Sequence, residues 1–491
     1  MMRFARCLIP VLVLALAGPS LAGCEVNPAT GRTTFTGLMS PAEEARVGAE
    51  QHPEVIKEFG GVYSDAALSG YVAGIGQRLA LASEQPGMRW TFTVLNNDLV
   101  NAFSLPGGYV YVTRGLMALA ENEAELAGVM AHEIGHVTAR HVAERYTQAQ
   151  LANVGLFGVG ILTGSQGVVS GGGAVAAAAL QSFSRDQEFE ADSLGVRYLI
   201  RAGYDPNAMA SFLRKLEADS ALEAQLAGRP GTGDDVDIMS THPRTTDRVE
   251  RAVQAAGGRP PGTPDARVGG RDFLMHIDGL YVDGDPQNGI IKNRRFVHPA
   301  LRFAFEVPPG FRLVNGEDQV LARGPNKALI LFTLDRRGGT ADAATYLQRV
   351  WAPRVAFSNV ERITVNGLDG ATASVRAQSS KGQYDLRLVA LRGDGGTVYR
   401  LLFLTAVADT ARLSEGLRRT TYSFAQLTPA QAAAARPYRL HIVTVKAGDT
   451  VESLAQRMPY DDYRLERFRT LNGLAAGERV RPGQLVKLVG D

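Results

Sequence analysis

His132-Glu133-Ile134-Gly135-His136 places two imidazoles and a carboxylate within five positions of one another. On a helix, positions i and i+4 share one face, so both rings can reach a single metal ion. The glutamate between them projects beside the same point, where it can take a proton from a metal-bound water. A third ligand is needed. His141 falls one residue short of the place where a third histidine would follow in one large group of such sites. Val142 occupies that place, and Ala139 stands where a glycine would fall. On a continuing helix His141 would also point well off the ligand face, and it is therefore read as structural. The carboxylates downstream fit better. Glu188 and Asp192 are again i and i+4. Glu188 would complete a His-His-Glu set with one position open. Asp192 would accept from the far nitrogen of a ligand histidine and fix its tautomer. Glu190 lies two residues from Glu188 and faces another side of the same helix.

These residues need two helices. Asn122 with Glu125 reads as a capped start, and Leu126, Met130, Ile134 and Val137 follow as an apolar stripe at helical spacing. Ser184 with Gln187 reads as a capping box that opens the second helix. Further helices are expected over Pro41 to Phe59 and Asp65 to Leu81, and after the Asp205-Pro206 pair. The alternation Tyr109, Val110, Tyr111, Val112 predicts a half-buried strand. Residues 151–180 are rich in Gly, Val and Ala and carry no charge. Glycine clusters cut this stretch into halves too short to span a membrane. It reads as a helical hairpin, either a mobile lid over the cleft or a packed buried pair.

The motifs together resemble the zinc metallopeptidase family that contains the CAAX prenyl proteases, HtpX and BepA, whose pattern is H-E-x-x-H followed by E-x-x-x-D. Asn101 to Gly108 and Tyr109 to Leu116 resemble the strand region before that family's zinc helix, and Thr241-His242-Pro243 with Arg248 resembles its late His-Pro element. The resemblance covers roughly residues 40–256. It implies one zinc ion per chain on His132, His136 and Glu188, with Glu133 as general base and Asp192 as orienting group. It implies that the strand of Val110 and Tyr111 is a sheet edge that binds an extended substrate backbone by strand addition. His242 would either occupy the open zinc position and hold the enzyme off or steady an oxyanion. Arg248 would contact substrate or Asp192.

The chain has two cysteines. Met1 to Arg6 carries two arginines, Cys7 to Ala22 is an apolar run, and Leu21-Ala22-Gly23-Cys24 resembles a bacterial lipobox. The resemblance implies a signal peptide over 1–23 and lipidation of Cys24. Glu25 follows, and the expected address is the outer membrane, facing the periplasm. A net charge of +2 in a balanced mix gives no reason to expect nucleic acid as a partner.

The expected fold is multi-domain. A mainly α zincin-type metallopeptidase domain with a small β-sheet (24–256) is followed by a Gly/Pro-rich linker (257–270), an α+β domain (271–426), an alanine-rich linker (427–438) and a small module (439–490). The α+β domain resembles the PsbP/Mog-like fold, and its His276 and His298 read as surface or turn residues. The last module resembles LysM through Val443 to Ala455, Leu471-Asn472-Gly473-Leu474 and Arg481-Pro482-Gly483. That implies peptidoglycan as a partner. The expected substrates are unfolded or misassembled envelope proteins. The rival readings are a latent zinc-bearing chaperone or scaffold and a cell-wall hydrolase.

Overall fold

The computed structural model describes residues 24–35, 39–145, 147, 183–226, 242, 246–257, 267–316, 319–339, 341–357, 359–379 and 382–491. The expected signal peptide and the hairpin of 151–180 lie outside the described residues.

The amino-terminal unit opens with a short hairpin, β1 (Cys24–Val26) and β2 (Thr33–Phe35), then α1 (Pro41–Glu58) and α2 (Ala66–Ala82). Ser40 and Asp65 cap these helices, each accepting from a backbone N–H of the first turn. A three-stranded sheet follows, from β3 (Thr91–Leu95), β4 (Ala102–Leu105) and β5 (Tyr109–Thr113). The strand at Val110 and Tyr111 is present, but it is not an edge. β5 lies between β3 and β4, parallel to the first and antiparallel to the second, so both of its hydrogen-bonding sides are taken. Val110 and Tyr111 are buried. Neither can present backbone to a substrate, and the edge beside the metal-site helix is β4.

α3 (Arg114–Leu119) leads into α4 (Glu123–Thr138), the helix of His132 and His136. Asn122 caps α4 by accepting from the Glu125 N–H. The whole of α4 is buried, because α2, α5 (Arg185–Arg201) and α6 (Asn207–Leu226) pack around it. α5 starts at the expected capping box of Ser184 and Gln187. Two glycines let α4 and α5 approach closely. A Cβ on Gly135 would meet the Ala191 carbonyl oxygen at 3.0 Å, and one on Gly195 would meet the His132 backbone nitrogen at 3.1 Å. Any side chain at either position would part the histidines from Glu188. α7 (Thr246–Ala255) closes the unit against α5 and α6. No described helix is long and apolar enough to cross a membrane.

α8 (Gly270–Ile277) and β6 (Tyr281–Val282) fall in the stretch that the sequence assigns to the middle domain, but they pack elsewhere. Phe273, Leu274 and Ile277 join the core of the first unit, and β6 pairs with the carboxy-terminal module. The middle region proper is β-rich. One sheet holds β7 (Gly284–Asp285), β8 (Gly289–Lys292), β9 (Arg295–His298) and β10 (Phe303–Glu306), with β18 (Ala425–Gln426) at its far edge. A larger antiparallel sheet holds β11 (Arg312–Asn315), β12 (Gln319–Arg323), β13 (Leu329–Asp335), β14 (Val360–Val365), β15 (Leu368–Ser379), β16 (Gly382–Arg392) and β17 (Val398–Ala406). α9 (Ala343–Tyr346), continued by a π-turn to Trp351, packs on β15 and β16. α10 (Val407–Ser423) packs on β10, β16 and β17. The expected linker after β18 contains a capped helix, α11 (Pro429–Ala434), whose Thr428 and Gln431 form a capping box.

β19 (Tyr438–Thr444), α12 (Val451–Ala455), α13 (Arg464–Leu471) and β20 (Leu485–Gly490) form the last module. Its apolar residues share one continuous core with the first unit. Lys487 on β20 is fully buried and donates to the carbonyls of Ala118, Leu119 and Ala120 at 2.8, 3.0 and 2.8 Å. It thereby caps the carboxy-terminal end of α3, where the helix dipole favours a cation. Its Nζ also lies 2.9 Å from Glu121 Oε1, which Lys215 approaches at 2.8 Å. Burial pushes the Lys487 amine down to about 8, against the pull of Glu121.

Candidate metal centre

α4 supplies His132 and His136 one turn apart on one face, and α5 brings Glu188 opposite them. The two Nε2 atoms lie 3.0 Å apart, and Glu188 reaches them at 3.6 and 3.4 Å. His242 arrives from the chain before α7. Its Nδ1 is 3.2 Å from His132 Nε2 and 2.9 Å from Glu188 Oε1. The ligand atoms of all four residues fall within 4.8 Å of one another, and all four residues are buried.

The far side of each ring fixes its proton. His132 Nδ1 faces Asp192 Oδ1 at 2.9 Å, which holds the proton on Nδ1 and leaves the Nε2 lone pair pointing into the site. His136 uses a longer chain. Its Nδ1 lies 2.9 Å from His141 Nδ1, and His141 Nε2 lies 3.0 Å from Glu190 Oε2. The carboxylate accepts a hydrogen bond from His141 Nε2–H, so His141 Nδ1 accepts and His136 Nδ1 donates. His136 Nε2 is then also an acceptor. Two acceptors 3.0 Å apart in a buried site repel unless a cation lies between them. Tetrahedral zinc with ligand bonds of 2.0–2.1 Å requires edges of about 3.3 Å, and the separations here bracket that value. The donor set therefore fits zinc, and His132, His136, Glu188 and His242 are the residues that could hold it.

His141 is structural, as read from the sequence, but not by pointing away. Arg140 has a left-handed backbone (φ 62°), which ends α4 and turns His141 back beneath His136. Such a conformation costs a non-glycine residue about 1 kcal/mol. The Arg140 guanidinium offsets this by donating to Glu44 Oε1 at 2.7 Å and to the Met39 carbonyl at 2.5 Å. Phe183 stacks on His136 at 3.8 Å, and the Arg145 guanidinium lies over the Phe183 ring at 3.5 Å.

Glu133 is buried on the same turn, and Ser104 on β4 donates to its Oε2 at 3.1 Å. His242 Nε2 faces its other oxygen at 3.4 Å. Arg248 is not free to bind substrate. It is buried, it holds both Asp192 oxygens at 2.7 Å, and its third nitrogen reaches Glu188 Oε2 at 2.7 Å. Of the two contacts expected for it, the structure has the one with Asp192. Burial alone would raise the Glu188 carboxyl, but the positive charge around it, with Arg248 at 2.7 Å, holds it well below the usual carboxylate range. Burial pushes His136 well below the usual imidazole value, which keeps it a neutral ligand. Asp192, although buried, is kept low by Arg248.

The sequence reading missed Ser104, the His141–Glu190 pair and Phe183. The i+5 histidine after His136 was visible, but the break at Arg140 that makes it useful was not.

Residues 66–256 match the model of peptidase family M48, and residues 443–488 match that of the LysM domain. The chain is 32% identical over 289 residues to a beta-barrel assembly-enhancing protease of Yersinia pestis, covering 55% of this chain and 57% of that one. It is 30% identical over 264 residues to the protein of the same name in Escherichia coli K12, covering 52% of each. It is 30% identical over 236 residues to the mitochondrial metalloendopeptidase OMA1 of Schizosaccharomyces pombe, covering 46% of this chain and 65% of that one. The chain thus spans between half and two thirds of the length of these curated relatives.

Proposed function

The chain carries a peptidase family M48 domain and a LysM domain, and from that premise we propose that it is a zinc-dependent metalloendopeptidase of the bacterial envelope. The observation that carries the reading is the buried convergence of His132, His136 and Glu188 beside Glu133. When bound, zinc supplies a Lewis acid for the scissile carbonyl and the attacking water. Glu133 takes the water's proton and later delivers it to the leaving amine, while Ser104 fixes which carboxylate oxygen faces the reaction. Asp192, oriented by Arg248, holds the tautomer of His132, and His141 holds that of His136.

His242 acts as a gate in this reading. At the fourth corner its Nδ1 stands where water and carbonyl would have to enter. Once displaced, it is close enough to the reacting centre to steady an oxyanion. The same contact favours a second reading, a zinc-bearing scaffold whose catalysis stays latent.

The substrates are extended segments of unfolded or misassembled envelope proteins. Such a segment adds to β4, whose outer side pairs with no strand among the described residues. The protein is held at the outer membrane, facing the periplasm, by lipid on Cys24, and the LysM domain reaches peptidoglycan. Beta-barrel assembly-enhancing proteases among the relatives support an envelope substrate. Two or more acyl chains suffice for stable anchoring.

The test is metal removal. Cleavage of unfolded casein by the His242→Ala protein is expected to stop on treatment with a zinc chelator and return with added zinc. Cleavage that survives removal of all zinc sinks the proposal.

A further inference from the structure

A second concave site, which shares no residue with the candidate metal centre, lies in the middle region. A half-open cleft of about 530 Å³ forms where β12, β13 and β17 meet β9 and β10. This lies within the size range of small-molecule sites. Its walls divide by chemistry. Leu301, Leu331, Leu334, Leu402 and Trp351 give an apolar body. The polar lining carries the cations Arg336 and Arg400 beside neutral side chains such as Asn315, Gln319 and Thr333, which offer acceptors as well as donors. Gln319, Thr333 and Arg400 form one cross-strand rung, with Thr333 paired to both of the others.

The Arg400 Nε is fully buried and has no hydrogen-bond partner. An unsatisfied buried donor costs roughly 1–3 kcal/mol and calls for an explanation. Asp335 feels the charge of Arg400, but it makes no hydrogen bond to the Arg400 Nε and binds Tyr346 at 2.5 Å and the Arg337 backbone at 2.9 Å instead. His298 contributes a second donor. The Leu301 N–H donates to its Nδ1 at 3.3 Å, which leaves the ring proton on Nε2. Burial, with Arg336 adding to it, pushes this imidazole down to about 4, so the ring is neutral at working pH. Arg336 also lines the cleft, and no carboxylate does so among the described residues. Glu317 and Asp318 lie outside them.

We propose that this cleft binds an amphiphilic anion, a single acid group on an apolar body, with the acid against Arg400 and the body along Leu331, Leu402 and Trp351. The charge-assisted bond to Arg400 is what would select an acid over a neutral analogue. The proposal does not depend on peptidase activity, and it gives the middle region a sensing or carrying role.

Trp351 is one of only two tryptophans. Its fluorescence in the otherwise intact Trp90→Phe chain reports on the cleft. Dodecanoate, dodecyl phosphate and dodecanol are titrated below their aggregation limits. Saturable one-to-one binding of an acid is expected, with dodecanol at least about tenfold weaker. The carboxylate and phosphate arms tell which acid is preferred. Arg400→Gln should weaken the acids about tenfold and leave dodecanol unchanged. Thr333→Phe, which fills the cleft without removing charge, should abolish binding and serves if Arg400→Gln does not fold. No saturable response, equal affinity for dodecanol, or unchanged binding in Thr333→Phe overturns the proposal.

Discussion

Glu133→Gln lowers casein turnover by about 10²–10⁴-fold, the range for loss of a general acid–base group, while zinc remains at one per chain. The substitution keeps the shape of the side chain and the Ser104 contact at 3.1 Å, so the metal ligands have no reason to move. What it removes is the carboxylate's ability to carry a proton from water to the leaving amine. The measurement is kcat on unfolded casein beside zinc content by elemental analysis, in a His242→Ala background so that the gate does not mask the difference. Loss of zinc together with activity would mean that Glu133 is part of the ligand set. Equal turnover in both proteins would remove it from the chemistry.

The second large effect is on stability. Lys487→Met leaves Glu121 with Lys215 alone and strips the Lys487 amine from the carbonyls of Ala118, Leu119 and Ala120, of which Leu119 keeps Lys215 at 2.9 Å. Breaking a buried pair costs about 3–5 kcal/mol. Glu121 is 29% exposed, which water partly screens, so the lower end, about 3 kcal/mol, is expected. Hydrogen exchange across residues 114–122 is the readout, because the effect should concentrate where α3 meets the LysM domain. The Glu121→Gln, Lys487→Met pair should cost less than the sum of the two single changes. Strictly additive costs, or exchange unchanged in that segment, would mean that the two units merely touch.

The candidate metal site was legible because its residues are local in sequence. His132, Glu133 and His136 need only a helix to converge, and so do Glu188 and Asp192. The capping residues Asn122 and Ser184 announced those helices, and the structure starts them there. What was not legible depends on where the chain goes between elements. Alternation at Tyr109 to Val112 gives a strand but not its place in a sheet, and β5 is central because it turns back from β4 and inserts between β3 and β4. Helical extrapolation past Ala139 sent His141 away from the site, whereas one left-handed residue brings it back. Gly270 to Val282 follows a glycine- and proline-rich stretch and reads as the start of a new domain. Phe273 and Ile277 nevertheless find their burial in the preceding one. Arg248 illustrates the same limit, since nothing in its spacing distinguishes a substrate contact from the support of Asp192.

The central claim is that His132, His136 and Glu188 hold one zinc ion with which Glu133 cleaves peptide bonds, and that His242 controls access to it. The measurement is zinc per chain and casein cleavage on the same preparations of the parent and of His242→Ala. The account predicts one zinc in each protein and faster cleavage by His242→Ala than by the parent. Full zinc in both with no cleavage by either would contradict it and leave the latent scaffold as the better description.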